Sequence, residues 1–332
     1  MSVRYRPEEL GMTLFLDDYW IWDFWLATDA GEHHVFYLKA PKSIGDPEAR
    51  HWNVSIGHAV STNLHDWKVV DDVIAPSPVA SWDDKSTWTG SVIEHGGRWV
   101  MLYTGTSHAD EGRVQRVGML TSNDLHHWER LPEPVLTADP DHHEILDLDM
   151  WHDQAWRDPW MYDDPTDGHV HVLVTARANH GHRYDRGVIG HARSRDLLTW
   201  EMLPSIAAPP GFGQLEVPQL VNLADRWYLL FASDLETQGE ERRSTGPGTG
   251  TYYLVADAPY GPYSMLGDGV LEVDRLGTTY AGKIHHTVDG APVFLAWHRY
   301  EPDGTFAGYL TTPRGIEVAA DGSLALTEPQ TP

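Results

Sequence analysis

One short signature recurs along this chain: STNLHDW (61–67), SNDLHHW (122–128) and SRDLLTW (194–200). Each reads Ser, two free positions, Leu, two free positions, Trp. A degenerate fourth copy, ADAPYGPY (256–263), closes with an aromatic ring, and a fifth unit, less like the others, ends in GYLTTPRGIEV (308–318). Such repetition means one supersecondary unit used several times, each burying its apolar face against a neighbour. Strand-like runs rich in Val, Tyr, Trp and Phe precede the copies: HHVFYLKA, GRWVMLYTG, HVHVLVTAR, DRWYLLFAS and APVFLAWHR. Second short strands follow them, IGHAVS, RVGMLTS, VIGHARS, GTYYLVA and FAGYLTT. No long segment keeps a helical period.

Short strands separated by Gly, Pro, Asn and Asp are an all-β pattern. Five such units predict a five-bladed β-propeller, a single domain over residues 1–332, with blades near 17–80, 81–140, 150–205, 210–270 and 275–326. A β-sandwich with accidental internal similarity is the alternative. TQGEERRSTGPGTG (237–250) reads as a charged, Gly-rich loop inside the fourth unit.

The innermost strands of a propeller line its central channel, so the residues leading into each apolar strand matter most. These are WIWDFW, STWTGSVI (86–93), AWRDPWMY (155–162), GQLEVPQL (213–220) and TYAGKIHH (279–286). Asp23, Asp158 and Glu216 then fall at equivalent places around one axis. Ionised carboxylates are costly to bury among aromatics unless something pairs with them or uses them. Three acids converging at a channel mouth suit glycoside hydrolysis, in which two carboxyl groups flank an oxocarbenium-like transition state. A third acid can hold sugar hydroxyls more tightly as charge develops. His285 and His286 lead into the fifth unit, where one is expected to point into the channel and touch substrate. On a regular strand, Asp23 would share a face with Trp25, because alternate residues point to opposite sides.

WDFW, WTGS, WRDPW and LEVPQL, in this order, resemble the levansucrase and invertase families of glycoside hydrolases (families 68 and 32). The resemblance runs from about residue 17 to 233. It implies a five-bladed propeller with retaining chemistry on β-fructofuranosides or related small ketofuranosides. By the same resemblance Asp23 is the nucleophile, Asp158 the transition-state stabiliser and Glu216 the general acid/base. Trp22, Trp88 and Ser91 resemble pocket-wall residues, and Arg157 the Arg of the families' Arg-Asp-Pro. The resemblance puts Trp22 beside the pocket, which requires irregular backbone before Asp23. Val217 stands where an Arg follows the acid/base in levansucrases, and the Asn-Asp-Pro opening of invertases is absent. Two other readings stay open: an inverting arabinanase- or xylosidase-type furanosidase on the same fold, and a sugar-binding or furanoside-modifying propeller without hydrolysis.

Composition excludes some partners. With 49 Asp and Glu against 24 Lys and Arg, the formal charge is −25, which repels nucleic acid and anionic membrane. There is no cysteine, so disulfides and zinc–thiolate sites are impossible. No stretch approaches the roughly 18 apolar residues of a membrane span, and no apolar leader is visible, so the chain reads as cytoplasmic. The oligomeric state is left open. Among the 20 histidines, HEIL (143–146) lacks the second His of a metalloprotease motif, and GPGTG (246–250) lacks the Lys of a phosphate loop. His58 and His191 match each other in IGHAVS and IGHARS, which reads as repeat packing. No cofactor and no metal are expected.

Overall fold

The computed structural model describes residues 12–329. They form five antiparallel sheets around one axis, a single-domain five-bladed propeller. The inner strands are Tyr19–Asp29, Ser86–His95, Trp156–Asp164, Glu216–Leu223 and Thr279–His286. Each pairs with the apolar strand that follows it: Glu32–Pro41, Arg98–Thr106, His169–Arg177, Arg226–Ser233 or Pro292–Tyr300. Those second strands are buried over most of their length because neighbouring blades cover both faces. In the first of them, Val35, Phe36, Tyr37 and Leu38 are all buried.

The recurring signature has a local cause. Ser61 Oγ accepts from Leu64 N, and Ser194 Oγ from Leu197 N, tightening the turn after the third strand. Leu64, Leu125 and Leu197 adopt left-handed φ values of 63°, 63° and 62° and are buried. The indole N–H groups of Trp67, Trp128 and Trp200 donate to those three leucine carbonyls. Leucine is a poor choice for a left-handed φ. Its burial and the indole bond over-determine the turn.

The fifth sheet takes a strand from the other end of the chain. Met12–Leu14 pairs with Phe306–Thr311, placing Met12 opposite Thr311 and Leu14 opposite Leu310. This pairing closes the ring of blades, and nothing in the repeat signals it. The segment 237–250, expected as a charged, Gly-rich loop, carries the one α-helix of the described residues, Glu240–Thr245.

A β-bulge interrupts every inner strand at the same height. Register jumps between Trp22 and Phe24, Trp88 and Gly90, Arg157 and Trp160, Glu216 and Gln219, and Tyr280 and Lys283. A bulge inserts one unpaired residue and re-aims the side chains around it. In three blades the inserted residue has positive φ: Asp158 (58°), Val217 (51°) and Ala281 (49°). Gly90 has no alternative, since a Cβ there would sit 2.1 Å from Leu102 O.

Candidate active site

The bulges set two tiers of side chains at the channel mouth. Just before them stand Trp22, Trp88, Arg157, Glu216 and Tyr280; at them stand Asp23, Thr89, Asp158 and Val217. All nine line one cavity of about 950 Å³. Asp23, Asp158 and Glu216, expected together from the repeat phase, are thus brought to one cavity from blades 1, 3 and 4.

Each acid is held differently. Asp23 is half-buried: its Oδ2 accepts from Thr89 Oγ1 at 2.8 Å and its Oδ1 from Trp297 Nε1 at 3.0 Å. Burial raises its pKa, and the Glu216 charge adds to that, while the Thr89 bond and the Lys283 and Arg50 charges oppose it. Asp158 is buried, and its Oδ2 takes Thr175 Oγ1 at 2.8 Å and Val217 N at 3.1 Å. Its Oδ1 takes no hydrogen bond from the described residues. Burial pushes Asp158 up to about 6; Arg157 pulls it down, and the Asp23 and Glu216 charges raise it. Glu216 accepts from Arg157 Nη2 through Oε1 and from the Tyr280 hydroxyl through Oε2.

Arg157 is the hub of this wall. Besides Glu216 it donates to Gln115 Oε1 at 3.1 Å, and its Nε lies 3.5 Å from Asp158 Oδ2. Burial disfavours the guanidinium charge, but Glu216, Asp153 and Asp158 outweigh it, so the group stays ionised. Lys283 lies one tier below. Its Nζ donates to Val217 O at 2.7 Å and Pro218 O at 3.2 Å, and burial lowers it to about 7 against the pull of Asp158 and Asp23.

Other expected site residues are placed apart. Trp25 is fully buried, stacked on Phe36 at 6.2 Å, and does not line the cavity. The bulge at Asp23 breaks the alternation that would have put the two on one face, and Trp22 takes the cavity side. The irregular backbone falls at Asp23 itself rather than before it. Ser91 is buried below the cavity, where its Oγ accepts from Met161 N of the next blade at 3.0 Å. His285 and His286 sit at the far end of their strand. His285 Nε2 lies 3.2 Å from His33 Nδ1 and 3.0 Å from Thr28 Oγ1, away from the three acids. Only the residues at and just before each bulge reach the mouth, and His285 and His286 lie beyond the bulge of the fifth inner strand.

The reading of the sequence overlooked Thr89, Trp297, Tyr280 and Arg50. Thr89 and Tyr280 were recoverable, because they occupy the repeat positions of Asp23 and Glu216. Arg50, on the 3₁₀ turn Pro47–Trp52, sits 5.6 Å over the Trp22 ring and carries no repeat signal.

A propeller whose channel mouth gathers three carboxylates and indole rings has the architecture of furanoside-processing glycoside hydrolases. The chain belongs to the glycosyl hydrolases family 32, N-terminal domain, whose pattern matches residues 25–329, beginning just beyond Asp23. A β-fructofuranosidase of Oryza sativa subsp. indica, insoluble isoenzyme 3, is 32% identical over 175 residues, 51% of this chain and 26% of that protein. The inulosucrase from Halalkalicoccus jeotgali bound to kestose superposes with a TM-score of 0.79 at 20% identity, over 97% of this chain and 95% of that one. A thermostable family-43 glycoside hydrolase gives 0.71 at 15% identity, over 97% of both. At such identities the two superpositions show the fold. The chain spans from about a quarter to a little over half the length of the curated relatives it matches.

Proposed function

We propose that this domain is a retaining glycoside hydrolase of β-fructofuranosides or closely related ketofuranosides. Asp23 attacks the anomeric carbon while the bond to the departing oxygen breaks, and Glu216 passes its proton to that oxygen. Glu216 then takes a proton from water, whose oxygen displaces Asp23 from the sugar. Asp158 binds ring hydroxyls through its free Oδ1, an interaction that strengthens as positive charge builds on the ring.

The observation that carries this reading is the pairing of Asp23 and Glu216 on one cavity with separate, fixed donors. Thr89 and Trp297 orient the first, and Arg157 and Tyr280 the second. Donors fixed before substrate arrives need not reorganise during reaction. The aromatic walls, Trp22 and Trp88, offer apolar faces to a sugar ring, and Trp88 is anchored by its indole N–H to His51 O at 2.8 Å.

The test is incubation with a panel of β-fructofuranosides and other furanosides, reading released monosaccharide by chromatography and the first-formed anomer by NMR. Release of a ketose with retained configuration is the expected result. Inversion, or no release from any furanoside, overturns the proposal. Glu216→Gln should abolish turnover of sugar leaving groups yet leave measurable turnover of an aryl furanoside, whose leaving group needs little protonation.

A further inference from the structure

We propose that Glu32, His34 and His126 form a binding site for a divalent transition metal of the zinc class, joining blade 1 to blade 2. Glu32 and His34 open the second strand of blade 1, and His126 lies in the Ser-x-x-Leu-x-x-Trp turn of blade 2. One carboxylate oxygen and one nitrogen from each imidazole lie within 4.8 Å of one another. His34 Nε2 is 3.8 Å from Glu32 Oε2. That is too long for a hydrogen bond. It is close to the roughly 3.3 Å that separates two ligands bound at about 2.0–2.1 Å to a tetrahedral zinc. The Glu32 carboxylate accepts no hydrogen bond from the described residues, although it is only half exposed.

The support behind His34 is of the kind a metal-bound imidazole needs. His34 Nδ1 lies 3.0 Å from Nε2 of His58, which is fully buried and whose Nδ1 has no partner. With the His58 proton on Nδ1, its Nε2 accepts from His34 Nδ1–H. The lone pair of His34 Nε2 is then free and aimed toward Glu32. An outer hydrogen bond that fixes the tautomer and orientation of a ligating histidine is the general arrangement of such sites. The rings are locked in turn: His58 stacks on Phe36 at 4.6 Å, and Trp128 meets Phe36 edge-on at 5.8 Å. His126 faces both imidazoles, with ring centroids 5.4 Å from His34 and 5.1 Å from His58. Two imidazoles and one carboxylate suit zinc and its neighbours better than the oxygen-loving calcium or magnesium.

Blade 3 supplies an internal comparison. His171 and His191 repeat the buried pair, with Nδ1 and Nε2 2.8 Å apart, but Tyr260 of blade 4 stacks on blade 3 where His126 of blade 2 stands against blade 1. Asp164 and Asp167 are in reach there. Their oxygens are already used, since His171 Nε2 lies 3.0 Å from Asp167 Oδ2 and Tyr260 donates to Asp164 Oδ2 at 2.7 Å. The same repeat position is closed by hydrogen bonds in blade 3 and left open in blade 1. The site escapes sequence reading because its ligands come from two blades and show no ligand spacing.

His34 lies four residues along its strand from Leu38, which lines the catalytic cavity. That is about 13 Å, so binding is read independently of any activity on sugars. The experiment is calorimetric titration of chelator-treated protein with ZnCl₂, with thermal unfolding followed in parallel. One tight equivalent per chain and a rise in Tm of several degrees are expected at saturating zinc. His126→Ala and Glu32→Gln should each weaken this tightest site at least tenfold. His127→Ala should not, because that neighbour is turned to Asp124, 2.7 Å away. Absence of a tight equivalent in the parent protein, or unchanged affinity in both site variants, overturns the proposal.

Discussion

Blades 1 and 3 place an aspartate at the same bulge, yet the two carboxylates are held in opposed ways. Asp23 opens on the cavity with one donor on each oxygen, from blade 2 and blade 5. Asp158 is buried, crowds two donors onto Oδ2 and leaves Oδ1 to the cavity, with Arg157 alongside. A shared backbone device therefore fixes where a group stands, and the neighbouring blades decide what it can do. Symmetric support suits a group that must attack in one direction. One-sided support suits a group that binds.

The largest effect expected from this contrast is at Asp23. Asp23→Asn keeps the shape and removes the charge proposed to attack the anomeric carbon, so kcat should fall by several orders of magnitude with substrate affinity retained. That is the pattern of an interaction realised mainly in the transition state. Single-turnover kinetics alongside equilibrium binding of a slow substrate measure both. Near-normal turnover in this variant would erase the distinction drawn between the two aspartates.

Asp158→Asn should show a second, smaller effect, in stability as well as rate. Its folded pKa of about 6 lies above the ordinary 3.8, so the native state binds the proton more tightly than the unfolded chain. The stability this confers is complete below pH 3.8 and is lost as pH rises through about 6; beyond that the buried charge is a net cost. Asparagine carries no charge at any pH. The variant should therefore lose less stability than the parent between pH 4 and 6.5, as measured by denaturant midpoints, while kcat drops. Parallel pH profiles for the two proteins would show that Asp158 is not strained by its surroundings.

How much of this was legible beforehand follows from the same device. The Ser-x-x-Leu-x-x-Trp turns gave away the blades, because each of their three fixed residues has a local job that another residue does badly. The phase of the repeat then located Asp23, Asp158 and Glu216. An inserted residue leaves no mark in a run such as WIWDFW, and only the resemblance that puts Trp22 beside the pocket pointed to irregular backbone near Asp23. Strict alternation therefore set Trp25 beside Asp23, where the folded chain sets Trp22. Ser91, His285 and His286 were misplaced for a related reason: only the positions at the bulge face the cavity, and the rest of each inner strand packs or runs to the far end. The closing strand Met12–Leu14 was unreadable, because its partner lies at the other end of the chain.

Trp25 and Trp88 test that correction at the next scale of effect. Trp25→Ala opens a hole in a fully buried stack and should cost about 3–5 kcal/mol of stability, with KM of the folded enzyme unchanged. Trp88→Ala removes a half-buried cavity wall. It should cost less stability and raise KM roughly threefold to tenfold, the scale of a lost ring contact. Thermal melts and steady-state kinetics on both variants separate the two. A raised KM in Trp25→Ala alone would return that residue to the pocket.

Ser91 offers the smallest and most discriminating change. It stands at the repeat position of Trp25, one tier beneath the acids, and its hydroxyl accepts the backbone N–H of Met161 across the junction of blades 2 and 3. Ser91→Ala removes only that oxygen and leaves a buried N–H without a partner, at a cost of about 1–3 kcal/mol. Blade 3 also carries Asp158, so a loosened junction is one route to misplacing that acid. The geometry argues otherwise. Asp158 N is held by Thr104 Oγ1 at 2.9 Å and its Oδ2 by Thr175 and Val217, none of which involves Ser91. The variant should therefore melt earlier with kcat/KM unaltered wherever it is folded. A fall in kcat/KM at full folding would mean that the tier below the bulge positions the acids, and that the division between supporting and reacting tiers is drawn one residue too high.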